Sequence, residues 1–289
     1  MSSDFYLATV RRLLAADWLR PSDDVLVVAG GTIDRDVLLT AGLRSVTISN
    51  LDERMRGDEY RPFRWSHQDA ETLEYPDGSF DVCVVHQGLH HCRSPHRGLL
   101  EMYRVARRGI IVFEPQDTLL TRIGVRLGVG QRYELAAVAD NDLRWGGVQN
   151  TDVPNFVYRW TEREARKTLA SYDPTGEPRL QCFHDLRLPG EAASRLRRGP
   201  ARLIARAAVP AARAVLRLVP SQANAIAVVA DKLDPAVDAH PWVTARDGVV
   251  TADADWFRRR AEGARTRRRS VRALRRDGGA APERTTGES

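Results

Sequence analysis

The 289-residue sequence contains no uninterrupted apolar run of about 18 residues, so no segment is expected to span a membrane. It has only three cysteines, Cys83, Cys92 and Cys182. So odd and sparse a set excludes a disulfide framework and makes a reducing, cytoplasmic setting the expectation. The opening Met1-Ser2-Ser3-Asp4 has neither the basic nor the apolar stretch of a secretory signal, and none is expected. Lysine is nearly absent: of 44 basic residues only Lys167 and Lys232 are lysine. A bias that general reflects genome composition, so arginine as such points to no particular chemistry. There is no G-x-G-x-x-G loop and no Gly-Lys-Ser/Thr ending, which leaves dinucleotide and nucleoside-triphosphate sites without their usual marks. Internal repeats are also lacking.

What is present is unevenly spread. The net charge of +6 is carried by two segments. Residues 258–276 hold ten Arg and one Glu, and residues 194–217 hold seven Arg and no acid, leaving an acidic body near −10. The hydrophobic fraction of 43% is ordinary for a globular chain, and the length allows one large α/β domain with additions or two small ones.

The apolar pattern predicts alternating elements. A helix of about 4–18 precedes strands at 25–29, 45–49, 63–66, 80–85 and 109–113, with helices near 34–41 and 94–106 between them. The strand runs are continuous rather than alternating, as in a parallel sheet covered by helices on both faces. Thr161 and Glu164 have capping-box spacing and open a helix to Tyr172. Runs at 180–188 and 223–230 read as two late strands. The expected fold is therefore α/β, with a doubly wound Rossmann-like sheet. The expected organisation is an N-terminal helix (1–19), a core (20–188) with acceptor-side elements at 116–178, and an Arg/Ala/Leu helical insertion (189–222). A last strand with a C-terminal extension (223–257) and an unstructured Arg-rich tail (258–289) complete it.

The stretch "VLVVAGGTIDRD", 25–36, is a strand, a glycine turn and a helix start, yet its two glycines decide nothing alone. The run "DAETLEYPDGSFDVCVVHQGLHHCRSPHRGLLEMYRVARRGIIVFEP", 69–115, is more specific. Its landmarks in order are Asp69-Ala70, Ser79-Phe80-Asp81, Leu89-His90-His91, Glu101-x-x-Arg104-Val105 and Glu114-Pro115. This series resembles the class I S-adenosylmethionine-dependent methyltransferases, in particular the bacterial type-11 group, over residues 22–115. The resemblance implies about seven strands with an antiparallel last pair, the insertion falling between the final two strands.

The resemblance also implies S-adenosylmethionine as cofactor and a set of donor-side residues. Ala29, Gly30 and Gly31 form the loop, with Gly31 at the position lying against the donor. Val27 stands where an acid is usual, Ala29 at the first glycine and Ile33 at the last. A β-branched side chain resists φ > 0, so the turn after Gly31 is expected to be reshaped. Asp52, with Asn50 as the alternative, takes the place of the acid that holds the ribose diol. Asp69 and Ala70 match the adenine contacts. His86 and Gln87 end the fourth strand, under the sulfonium.

His90 and His91 follow that strand at the edge where acceptors bind, and either, His91 first, is a candidate base for a hydroxyl acceptor. No metal site is expected, because adjacent histidines leaving a buried strand do not close a tetrahedron with His86, Cys92 and His96. Asn155, Tyr158, Arg159 and Trp160 suit the wall of a sugar-containing or other small hydroxylated acceptor. The Arg-rich insertion reads as a lid or homodimer surface, or as a contact with anionic membrane. Specific nucleic-acid binding is not expected, since no base-reading module is present. The enzyme reading competes with a silent scaffold that kept the fold, motivated by Val27 and Ile33, and with a membrane-surface adaptor working through the Arg segments.

Overall fold

The computed structural model describes residues 3–126, 128, 130–186, 216, 218–246 and 249–263. Two compact units are present, one of residues 1–174 and 178–232 and a smaller one of 175–177 and 233–289.

In the larger unit, α1 (Ser3–Ala15) is followed by β1 (Asp24–Val28), α2 (Thr32–Ala41), β2 (Ser45–Asn50), β3 (Arg64–His67), β4 (Phe80–His86), α3 (Pro95–Val105) and β5 (Ala106–Pro115). Then come α4 (Leu119–Arg126), α5 (Leu135–Ala139), α6 (Glu162–Tyr172), β6 (Leu180–Asp185) and β7 (Ala225–Asp231). The seven strands form one sheet in the order β3-β2-β1-β4-β5-β7-β6. The first five are parallel, and β7 runs antiparallel between β5 and β6. The strand order reverses between β1 and β4, so the crevice at their carboxyl ends is where an open α/β sheet binds its ligand.

The continuous apolar runs are explained by which face each side chain reaches. Val25 and Val27, Val82 and Val84, Ile111 and Phe113 join a core with Tyr6, Val10 and Leu38 of α1 and α2. Their neighbours Leu26 and Val28, Cys83 and Val85, Ile110 and Val112 join a second core with Leu99 and Met102 of α3 and Leu169 of α6. Period two thus sends alternate residues to two dry faces, and neither position tolerates a polar group. Two helix starts follow local chemistry: Ser94 accepts from the Arg97 amide of α3, and Thr161 accepts from that of Glu164 at 3.1 Å, as its spacing predicts.

The predicted insertion at 189–222 lies outside the described residues except for 216 and 218–222. In the smaller unit β8 (Val243–Arg246) and β9 (Val249–Ala252) pair as an antiparallel hairpin, which the strand reading passed over. Asp247-Gly248 between two β-branched runs was its signal. Residues 254–263 are helical, where charge alone predicts an unstructured tail from 258. Aromatic contacts anchor this helix: Trp256 packs on Trp242, which stacks on His240. The rest of the tail lies outside the described residues. Among the described residues, no helix is long and apolar enough to cross a membrane.

Candidate functional site

The turn after β1 is reshaped, but not at the residue the sequence suggests. Helix α2 begins at Thr32, so Ile33 lies in its first turn and its side chain is 53% exposed rather than turned into the fold. The left-handed position is Ala29, with φ of +52°. Gly30 is required by close approach: a Cβ there would lie 2.5 Å from Val27 Cγ1. Gly31, the amino-terminal cap of α2, has open space around its Cα, and its N–H donates to Asp34 Oδ2. Val27 is fully buried against this turn.

A cavity of about 350 Å³ opens at the carboxyl ends of β1, β2 and β4. Of the nine donor-side residues, six line it: Ala29, Asn50, Asp52, Asp69, Ala70 and Gln87. Gly30 and Gly31 do not line it, because only the left-handed Ala29 faces that way. Gly88 completes the floor, and its lack of a side chain is structural, since a Cβ would lie 2.5 Å from Ala29 Cβ. Asn50 Nδ2 donates to the Gly30 carbonyl, and its Oδ1 accepts from the Asp52 amide. Asp52 is held by Arg54 through both carboxylate oxygens, which keeps its pKa below the usual range. The Arg54 guanidinium lies 4.8 Å from the centroid of the Trp145 ring, over its face.

His86 is not at the cavity. Its ring stacks on Tyr6 at 4.8 Å, and burial, then the charge of His90, pulls its pKa down to about 4. A neutral ring turned onto α1 explains its absence from the crevice.

His91 lines the cavity, with its side chain 30% exposed, and His90 lies buried behind it. His90 Nδ1 is 2.6 Å from Glu114 Oε2, and its Nε2 is 3.2 Å from Glu134 Oε2. Glu114 also accepts from the Leu89 amide through Oε1. Burial alone would favour neutral His90, but the two carboxylates outweigh it and push the pKa up to about 10. The same contact holds Glu134 down at about 2. His91 Nε2 is 3.4 Å from that same Glu134 oxygen, yet burial and the charge of His90 lower its pKa. At neutral pH His90 is therefore a cation that cannot accept a proton, and His91 is a neutral imidazole facing the cavity. The adjacent pair is split into two roles.

The four expected acceptor residues do not line this cavity. Asn155 is 2% exposed and donates to the His90 carbonyl and to Glu134. Tyr158 donates to Glu164 beside His96, and Arg159 donates to the carbonyls of Val157 and Gln131. Trp160 is drawn into the core, its amide bonded to the Pro115 carbonyl. Backbone pairing of this stretch with the end of β5 turns these groups to structural use. The sequence reading missed Arg54, Glu71, Gln149 and Asn150, which do line the cavity. Glu71 is buried and accepts from the Arg93 and Ser94 amides and from Gln149 Nε2, tying the entry of α3 to the 146–150 loop. Glu114 stood in the sequence as a landmark, but nothing signalled Glu134.

Comparison with known proteins agrees with this geometry. Residues 30–113 match the family described as "Methyltransferase domain". The chain is 33% identical over 124 residues to the ubiquinone/menaquinone biosynthesis C-methyltransferase UbiE of Xanthomonas campestris pv. campestris, covering 38% of this chain and 48% of that protein. The protein of that name from Stenotrophomonas maltophilia is also 33% identical, over 126 residues with the same coverage. The chain thus spans about half the length of the curated relatives it matches. Among solved structures, magnesium protoporphyrin IX methyltransferase from Synechocystis PCC 6803 with bound SAH is 16% identical, with a TM-score of 0.46 over 79% of this chain and 82% of that one. The stretch that matches a methyltransferase domain, residues 30–113, is the part of the sheet whose strand tips open into the cavity.

Proposed function

We propose that the chain transfers a methyl group from S-adenosylmethionine to a small acceptor that carries an ionisable hydroxyl. The observation that supports this reading best is the cavity itself, which gathers Ala29, Asn50, Asp52, Asp69, Ala70 and Gln87 from four separate strand ends and stays clear of Ile33. Its volume is at the lower end for ligand pockets, enough for a nucleoside-sized group and not for donor and acceptor together. The residues present fit the donor: a small residue and a glycine on the floor, a carboxylate beside β2 and an Asp-Ala pair after β3.

The donor supplies an activated methyl on a sulfonium centre, so the protein's work is alignment and removal of the acceptor's proton. Asp52, or Asn50 beside it, holds the ribose hydroxyls, and Asp69 with Ala70 takes the adenine. His91 Nε2 accepts the acceptor's proton, and imidazolium His90 holds Glu134 in place behind it. Deprotonating a phenolic hydroxyl activates both its oxygen and the adjacent ring carbons. The same base therefore serves O-methylation and the carbon methylation for which the relatives are named, a second reading favoured by their 33% identity. Sugar-containing acceptors belong to the first reading. Calorimetric titration with S-adenosylhomocysteine tests the donor site: heat with saturation is expected, and none at millimolar ligand would leave the scaffold reading standing.

A further inference from the structure

We infer that His90, His91 and Glu134 form a binding site for a divalent transition-metal ion at the edge of the cavity. Their ligating atoms all lie within 4.8 Å of one another. Two ligands about 2.1 Å from a common centre lie about 3.0 Å apart at a right angle and about 3.4 Å apart at the tetrahedral angle. The observed separations from Glu134 Oε2 are 3.2 Å to His90 Nε2 and 3.4 Å to His91 Nε2. Both exceed the roughly 2.7–2.9 Å of a charge-assisted hydrogen bond and match the edge of a coordination shell. Two imidazoles and one carboxylate on one side of an ion leave positions open on the other.

Three further features fit. His90 Nδ1 sits 2.6 Å from Glu114 Oε2, the carboxylate–histidine arrangement that orients a ligating ring. Asn155, whose Nδ2 lies 3.4 Å from the shared Glu134 oxygen, is 2% exposed and leaves its Oδ1 without a partner. Its Nδ2 also donates to the His90 carbonyl, so Asn155 ties the Glu134 carboxylate to the backbone of the histidine pair. Two carboxylates, Glu114 and Glu134, also converge on His90, and one divalent ion balances them where a single imidazolium leaves one charge over.

With the ion in place His91 is a ligand and not a base. The acceptor's hydroxyl then binds at an open position, where coordination lowers its pKa, and its proton passes to solvent. This consequence rests on the methyl-transfer reading; the metal site does not.

Cobalt(II) titrated into the purified full chain at about pH 8, where binding must displace the His90 proton and His91 is already neutral, is the test. The expected result is one equivalent bound by calorimetry, with a visible d–d band from a nitrogen- and oxygen-ligated ion. Glu134→Gln, which preserves shape, and His91→Ala should each weaken binding at least tenfold. His96→Ala, at a ring paired with Glu164, should bind as the parent does. No binding by the parent, or parent-like binding by Glu134→Gln, overturns the inference. S-adenosylhomocysteine is titrated into the same preparations without metal. Nucleoside binding without cobalt binding sinks the metal site alone, and cobalt binding without nucleoside binding sinks the methyl-transfer reading alone.

Discussion

Asp34 offers a sharp test of the electrostatics around the β1–α2 turn. Its side chain is buried, with Oδ2 accepting from the Gly31 amide at 2.8 Å and Oδ1 without a partner. Burial raises its pKa from 3.8 to about 6, against the pull of the Gly31 hydrogen bond. The folded chain therefore holds the proton more tightly than the unfolded chain does. Below about pH 4 both states are protonated and the group is neutral to stability. Between about pH 4 and 6 the unfolded chain loses its proton first, and stability falls as pH rises. Above about pH 6 the full cost applies, ~3 kcal/mol for a rise of this size. Asp34→Asn keeps an oxygen for the Gly31 amide and never ionises, so this dependence disappears. At about pH 7.5 the variant should be more stable by up to ~3 kcal/mol, or about 2–4 °C in Tm for each kcal/mol. The gap should close near pH 4. Urea unfolding at a series of pH values reads both ends. An unpaired amide NH2 would lower the variant equally at every pH, so the slope is the diagnostic. A gap that stays constant from pH 4 to 8, or widens toward acid, refutes the reasoning.

Other perturbations probe the cavity directly. Gly88→Ala places a methyl 2.5 Å from Ala29 Cβ and 3.0 Å from Val85 Cγ2, and should destabilise the fold by about 1–3 kcal/mol while weakening S-adenosylhomocysteine binding. Adding Ala29→Gly should restore both melting temperature and affinity; no rescue would mean that the crowding lies elsewhere. Asp52→Ala should weaken nucleoside binding by calorimetry more than Asn50→Ala does, and the reverse order would move the ribose contact to Asn50. His91→Ala should lose turnover in a radiolabelled methyl-transfer assay while nucleoside affinity survives. His90→Ala should instead lower the melting temperature sharply, because Glu114 and Glu134 lose the cation between them, at a cost of about 3–5 kcal/mol.

The sheet was legible because its physics is local. Val25–Val28, Val82–Val85 and Ile110–Phe113 read as buried strands since each must satisfy two apolar faces, and period two sorts them. Six of the nine residues expected on the donor side line the cavity for a related reason, since each lies at or just after the carboxyl end of β1, β2, β3 or β4. The hairpin of the smaller unit was missed because its four-residue strands are largely exposed and leave little apolar pattern. The acceptor-side stretch could not be told from packing by its sequence, because aromatic and polar side chains at 155–160 look alike whether they face a ligand or pin a segment to β5. Only the pairing of Trp160 with Gln116 distinguishes the two.

The altered glycine turn shows why a loop is harder to read than a strand. Position by position, Ile33 is the largest departure, because its counterpart in the resembling family is a glycine. In the fold that demand has moved. With α2 starting at Thr32, position 33 needs no left-handed backbone, and the constraint passes to Ala29 at φ +52°. Ala29 can keep its methyl there only because Gly88, across β1 and β4, has none. Each residue looks tolerable or intolerable alone, and the compensation joins positions 59 apart in sequence that the strand pairing Val28↔Val85 brings side by side. The histidine pair follows the same logic. Leu89-His90-His91 reads as two candidate bases with His91 first, yet Glu114 from the neighbouring strand and Glu134 from a distant loop hold one ring as a cation and leave the other neutral at the cavity. Composition at a strand tip thus indicates that a site is present, and the partners supplied by distant chain decide what each group can do.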